Sequence, residues 1–463
     1  MSSTFDVRIW GISPYKGAKK TTYKVRWSVA GRTFRKTFGT KALAEGFRAE
    51  LINAQRKGER FDTDAGLPES QLREQSSRLT WYQHATEFID MKWKSLEGGS
   101  RRTLAESLAT ITCGLVDAPD GFAEPQTLFR ALVHWAFNKP ARTSGPPPEK
   151  FEAAIAWIER HSIRLGTLAN PKVARHAYDC THHAADGTPL KQSTATNKRR
   201  ALSGAINYAI ELGHLDHDPL RKISIPKQRR VVTVDRRVVV NPDQARALLH
   251  AVASLGEAGR RLVAFFATIY YAGLRPGEVV ALRREDLHLP ETGWGELRFY
   301  ESSPYSGSAW TDNGEAQPRK ALKHRADGEC RIVPAHPELV AHLRKHLDTY
   351  GTTPDGRLFV NGKGNPITYG SYGAIWERAR EVALTETQAA SQLAGRPYDL
   401  RHAAVSTWLN AGVGAPQVAE WAGHSVEILL STYAKCIDGQ DEQARQRIER
   451  ALGPTVDEEP PTR

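Results

Sequence analysis

Five short segments in the C-terminal half carry side chains suited to handling an anionic ester. They are YYAGLRPGEVVALRRED (270–286) with Arg275 and Glu278, KALKHRADGECRIVP (320–334) with Lys323, and RPYDLRHAAVSTWLNAGV (396–413) with Tyr398, Asp399 and Arg401. WAGHS (421–425) adds His424, and LSTYAK (430–435) adds Tyr433. Planar guanidiniums meet anionic oxygens bidentately, which a lysine cannot do. A phenol, with an unperturbed pKa of about 10, needs an acceptor or a positive field to become a nucleophile at neutral pH. A lysine with a tuned pKa can protonate a leaving alkoxide. Taken singly, each residue has a plainer use. Arg275 is compatible with capping the carbonyls at a helix end, Lys323 with an edge-strand charge, His424 with a cap and Tyr433 with packing.

The elements that must position them follow from pattern. A helix over 242–254 and a long apolar helix ending at Gly273 precede Arg275. Strands are expected around 295–300 and 330–333. Asp327-Gly328 is a hairpin signal, placing Lys323 on the entering strand and Arg331-Ile332-Val333 on the leaving one. Lys320 is a competing lysine that lies further from the turn. Arg401 starts an amphipathic helix, and a helical stretch separates His424 from Tyr433.

The 463-residue chain carries a net charge of +12, and residues 1–60 alone, with 14 Lys+Arg against 4 Asp+Glu, carry +10 of it. That is the electrostatic footprint of a polyanion-binding module. Within it Tyr23, Val25, Trp27 and Val29 alternate with polar residues as in a strand, Ala30-Gly31-Arg32 forms a turn, and a second alternating run passes through Phe34 and Phe38. Residues 5–12 predict a third strand. Thr40 is an N-cap for a helix reaching about Lys57, with Leu43, Phe47, Leu51 and Ile52 on one face. Such a sheet presents Lys24, Arg26 and Arg35 to a nucleic-acid groove, or stands as a basic sheet with no groove to enter.

Residues 61–76 have linker composition. Helical spacing runs from about Leu79 to Leu220, broken by VDAPDGFAEP and NKPARTSGPPPEK. Its last helix, from Ser193 to about Leu212, carries Lys198, Arg199 and Arg200 as candidate DNA contacts or as a solvated charged face. The expected division is 1–66, 77–224, a basic linker over 225–239, a domain over 240–452, and a frayed tail over 453–463. The fold class is multidomain α+β: a small antiparallel sheet with one helix, an all-α bundle, then a mainly α domain with a small sheet.

No stretch approaches the roughly 18 apolar residues of a membrane span, and MSSTFDVRIW lacks a signal peptide's apolar core, so a cytoplasmic protein without a membrane partner is expected. Cys113, Cys180, Cys330 and Cys436 show no CxxC spacing and are expected as free thiols. Neither a phosphate-binding glycine loop nor clustered carboxylates of the two-metal kind are found, so no cofactor or metal is expected.

In their order, Arg, Lys, Tyr-Asp-Leu-Arg-His, Gly-His-Ser and Tyr, the five motifs resemble the catalytic domain of the tyrosine recombinases. The basic sheet and helical middle ahead of it look like the arm-binding and core-binding layout of phage and mobile-element integrases. The wording ALKHRADGECRIVP and STYAKCIDG is similar to integrases of actinobacterial mobile elements. The resemblance implies that Tyr433 attacks the scissile phosphate, leaving a 3′-phosphotyrosyl bond and a free 5′-hydroxyl. It makes Arg275 and Arg401 clamps on the non-bridging oxygens, Lys323 the general acid and His424 a hydrogen-bond partner of the phosphoryl oxygen or the nucleophile. Glu278 and Asp399 would orient the arginines or buttress helices. Tyr398 departs from the family, which usually has histidine three residues before the second arginine, and this puts the base in doubt. The implied partners are double-stranded attachment-site DNA, a homotetramer, and a host bending factor or excision factor. The rival readings are a type IB topoisomerase, against which the two preceding DNA-binding domains argue, and a DNA-binding protein that has lost strand cleavage.

Overall fold

Alternation at the N-terminus becomes a real sheet in the computed structural model, which describes residues 3–16, 21–71, 78–118, 122–184, 187–224, 233–321, 330–436 and 440–452. The chain divides into two units, Met1–Pro226 and Lys227–Arg463. In the first, Thr21–Val29 is the central strand. Arg32–Phe38 pairs along one edge, with Arg26 directly opposite Arg35. Val7–Ile9 and Ser13–Lys16 share the other edge, so the strand expected over 5–12 is shorter and is followed by a separate one. Ala30 and Gly31 form the connecting turn at φ values of 50° and 78°, the positive pair that a two-residue hairpin requires.

Val25, Trp27 and Val29 are buried beneath Ala44, Phe47, Leu51 and Ala54 of the helix Lys41–Arg56. Thr40 caps that helix by accepting the Leu43 N–H. Leu43 itself is 61% exposed, because the apolar stripe runs through Ala44 and a neighbouring residue lies about 100° away around the helix.

Helices Trp81–Trp93, Gly98–Gly114, Glu149–His161 and Gln192–Glu211 carry the helical part of this unit, with Trp81, Phe88, Leu108, Ile158, Leu202 and Ile206 buried. One expectation needs correcting here. Lys198 is not presented to solvent: its amine donates to Thr110 Oγ1 at 2.5 Å and to the Glu106 carbonyl at 3.4 Å, and burial lowers its pKa. It stands between Ala195 and Leu202 on the buried stripe of its helix, while Arg199 and Arg200 are exposed.

In the second unit, Asn241 and Gln244 cap the helix Pro242–Ser254 reciprocally. The helix Val263–Tyr271 is buried from Ala264 to Tyr270 and packs on helices Pro242–Ser254, Pro337–Tyr350 and Asp399–Asn410. Its all-round apolarity is what a core helix needs. A small antiparallel sheet runs Arg331–Ala335, Gly295–Phe299, Leu287–His288. The hairpin expected at Asp327-Gly328, with Lys323, lies outside the described residues. Among the described residues its flanks do not pair with each other: Ala321 pairs with Glu301, and Arg331 pairs with Phe299. Both described flanks thus pair with the 295–302 segment.

Helices Ala415–Ala422 and Val426–Tyr433 pack with Val405 and Leu409 in a second apolar cluster that includes Tyr433. The Val234 N–H donates to the Thr432 carbonyl at 2.8 Å, tying the start of the unit to the tyrosine helix. The chain is therefore a multidomain α+β protein, mostly helical with small antiparallel sheets. No described helix is long and apolar enough to cross a membrane, and the four cysteines are free thiols.

Candidate active site

Helix ends, rather than helix middles, deliver the charged groups. Val263–Tyr271 is followed by Gly273 at φ 59°, where a Cβ would stand 2.8 Å from Trp408 Cη2. The chain then turns into Pro276–Ala281, with Arg275 as its cap. Glu278 reaches back to it: Oε2 accepts the Arg275 N–H at 2.8 Å and Oε1 accepts from Nη1 at 2.9 Å. Arg275 Nη2 donates to the Gly423 carbonyl at 2.9 Å. From the sheet, Arg331 Nη1 donates to Glu278 Oε1 at 3.1 Å, and its Nη2 lies 2.9 Å from Oε2. One buried carboxylate therefore holds two guanidiniums. Burial alone would raise the Glu278 pKa, but Arg331, Arg401 and Arg275 outweigh it and hold it at about 2. Burial pulls the Arg275 pKa down, and Glu278 and Tyr398 more than reverse that.

Arg401, fully buried on the helix Asp399–Asn410, donates to the carbonyls of Gly273 and Ala422. Its Nη2 also lies 2.9 Å from His424 Nε2. A guanidinium can only donate, so that imidazole nitrogen accepts and the ring's proton sits on Nδ1. Burial, then Arg401 and Arg275, lower the His424 pKa to about 3, with Glu278 opposing. In this cluster Arg331 Nε, Arg401 Nε and His424 Nδ1 are buried without a hydrogen-bond acceptor among the described residues. Buried donors of this kind cost free energy unless something accepts from them.

Gly423 places His424. It ends the helix Ala415–Ala422 in the left-handed region, at φ 63°. A Cβ there would stand 2.2 Å from Arg331 Nη1 and 3.3 Å from Arg275 Nη1. Ser425 then caps Val426–Tyr433. Tyr433 is buried, its ring centroid 6.4 Å from that of His424, and its hydroxyl is 2.9 Å from His402 Nδ1. Burial raises the phenol's pKa well above its ordinary value, against the field of Arg401. Tyr398, the cap of the Arg401 helix, has its ring edge-on to His402 at 5.1 Å.

The structure thus gathers Arg275, Tyr398, Arg401, His424 and Tyr433. Lys323 lies outside the described residues. Asp399 is buried and accepts from the Arg396 N–H and Nη2, both at 2.8 Å, so it braces the helix start. Two further residues of the cluster, Arg331 and His402, lie inside these motifs without a role legible in the sequence. Arg331 looked like an ordinary strand residue. His402 stood beside the arginine that drew attention; its only signal was a position one helical turn after Tyr398. No group of three or more His, Cys, Asp or Glu among the described residues could hold a metal ion.

Lys24, Arg26 and Arg35 lie on the sheet of the first unit. Arg26 and Arg35 are exposed and cross-strand neighbours. Trp10 lies under Arg8 and Arg26, at 5.8 and 5.6 Å, and Tyr15 under Lys24 at 5.9 Å.

Residues 239–438 match the phage integrase family. The chain is 25% identical over 266 residues to tyrosine recombinase XerC of Pelobacter propionicus, covering 57% of this chain and 76% of that protein. It is 33% identical over 231 residues to tyrosine recombinase XerD of Listeria innocua, covering 49% of this chain and 65% of that protein. Among solved structures, the Tn1549 transposon integrase in complex with a circular intermediate DNA aligns at a TM-score of 0.46 and 17% identity, covering 70% of this chain and 98% of that one. The family match falls on the segment that brings Arg275, Arg401, His424 and Tyr433 together, and over that segment the chain is similar to the tyrosine recombinases, a family of site-specific recombinases.

Proposed function

We propose that this recombinase integrates a mobile genetic element and, by the same chemistry run on other junctions, excises it. Tyr433 attacks the scissile phosphate of a DNA attachment site, forming a 3′-phosphotyrosyl bond and releasing the 5′-oxygen. Arg275 and Arg401 bind the non-bridging oxygens, where negative charge builds at the transition state. His424 donates to the same oxygens through its Nδ1–H. Lys323, by resemblance, protonates the leaving oxygen, and Lys320 is the alternative. The covalent bond conserves the energy of the phosphodiester, so rejoining needs no ATP.

The observation that carries this reading is the meeting, in one place, of a phenol with buried Arg401 Nε–H and His424 Nδ1–H groups that lack an acceptor. A phosphodiester supplies anionic acceptors, and removes the cost of burying those donors. Tyr433 is fully buried, so the surface over it must open for DNA to reach the phenol.

The rest of the chain serves binding. Residues 1–66 form the arm-binding domain, 77–224 the core-binding domain and 240–452 the catalytic domain. Arg26 opposite Arg35 favours the first assignment: like charges directly opposed across a sheet destabilise it unless a polyanion lies over them. Arg199 and Arg200 are the candidate contacts of the core-binding domain. The active assembly is a homotetramer on two duplexes in the cytoplasm, with a host bending factor or an excision factor setting direction. The test is recombination in cells between plasmids carrying the two junctions of the element that encodes the chain. Unaltered protein should yield precisely sequenced recombinant junctions and Tyr433→Phe none; junctions with both, or with neither, would refute the proposal.

A further inference from the structure

The steps above leave one contact of the nucleophile unused. The Tyr433 hydroxyl lies 2.9 Å from His402 Nδ1, with ring centroids 5.7 Å apart. His402 is half-buried on the helix that carries Arg401. Burial lowers its pKa to about 4, with Asp399 opposing and Arg396 and Arg401 adding to the effect. At neutral pH the ring is therefore uncharged, and its Nε2–H tautomer presents the Nδ1 lone pair to the phenol O–H.

The neighbours cannot take that part. His424 has its Nε2 committed to Arg401 Nη2, which leaves Nδ1–H, a donor. Tyr398 offers a second phenol, one helical turn before His402 and edge-on to its ring. Among the described residues, the accepting nitrogen at the nucleophile belongs to His402.

We propose that His402 is the general base for Tyr433. During cleavage the Tyr433 oxygen bonds to phosphorus, the bond from phosphorus to the 5′-oxygen breaks, and the phenolic proton passes to His402 Nδ1. The leaving 5′-oxygen takes its proton from the general acid. During rejoining the 5′-hydroxyl returns that proton to the acid as it attacks, and His402 reprotonates the departing phenolate. A phosphate bound at Arg275 and Arg401 brings negative charge against the guanidiniums that disfavour the imidazolium, so the loaded site makes proton acceptance easier. The inference rests on the phosphotyrosyl reading.

Single-turnover formation of the protein–DNA adduct, on a nicked attachment-site substrate with the full chain, tests it. His402→Asn keeps an acceptor near the phenol but cannot take a proton, and His402→Ala removes both. DNA binding and thermal melting serve to check that each variant is folded. Both variants should slow adduct formation on the order of 100-fold. A 5′-bridging phosphorothiolate, whose sulfur leaves without protonation, should not restore either. It should restore a variant of the general acid. Wild-type rates in His402→Asn, or recovery of His402→Asn on the phosphorothiolate, would overturn the proposal. No adduct from unaltered protein would remove the recombinase reading, and this inference with it.

Discussion

Glu278 is the residue on which the charge balance of the site turns. It is 3% exposed and faces Arg331, itself 2% exposed, on both oxygens, with the Arg275 guanidinium sharing Oε1. Removing one partner of a buried ion pair costs roughly 3–5 kcal/mol, because the charge left behind has no compensation. Glu278→Ala should destabilise the protein by about that much in denaturant unfolding, and a change below roughly 1 kcal/mol would contradict the bracing role. Glu278 was recognisable in the sequence as an orienting group, since it stands three residues after Arg275 where a helix begins. Arg275, Arg401 and Tyr433 were legible for a related reason: phosphoryl chemistry restricts which side chains can serve, so order and residue type carry information. Arg331 and His402 were not, because their roles arise from contacts 53 and 31 residues away along the chain, which no local pattern encodes.

At the scale of elements, helix ends and one turn set the geometry. Gly423 combines a left-handed backbone with a position where a Cβ would stand 2.2 Å from Arg331 Nη1. Gly423→Ala should therefore leave a folded protein that loses at least about 100-fold in adduct formation, since displaced guanidiniums no longer meet the transition state. Near-normal cleavage by that variant would show that the Arg331 contact is not needed. In the N-terminal sheet, Arg26→Gln with Arg35→Gln should reduce the slope of log affinity against log salt by about two, one for each lost phosphate contact. An unchanged slope would remove these residues from the DNA interface. Elements built on local rules were readable from sequence, including the Ala30-Gly31 turn, the Thr40 cap and the helix before Gly273. The strand around 330–333 was readable too, but the pairing of 320–321 and 331–335 with the 295–302 segment was not, because it is a long-range choice. Lys198 was misjudged although its spacing from Ala195 and Leu202 was visible; a charged residue on an apolar stripe was taken for a surface group.

Over the whole molecule, buried histidines make stability depend on pH. Burial, reinforced by nearby guanidiniums, gives His402 and His424 pKa values of about 4 and 3. Burial likewise lowers His84 in the first unit and His346 in the second. The unfolded chain then binds protons at these sites below about pH 6.5 while the folded chain does not, so stability is complete above that pH and falls as pH drops toward 4. Partial exposure to solvent reduces the loss to on the order of 1 kcal/mol at pH 5 for each of His402 and His424, with His84 and His346 acting in the same direction. Denaturant unfolding at pH 8 and pH 5 checks this, and equal or greater stability at pH 5 would contradict it. On the proposed mechanism, Tyr433 cleaves DNA by forming a covalent bond to it. A substrate nicked near the cleavage point of the attachment site traps that bond, and a denaturing gel reads it. Unaltered protein should form the adduct in the presence of a chelator and Tyr433→Phe should not. Folded, DNA-binding protein that forms no adduct on the correct site, or an equal adduct from Tyr433→Phe, would contradict the account.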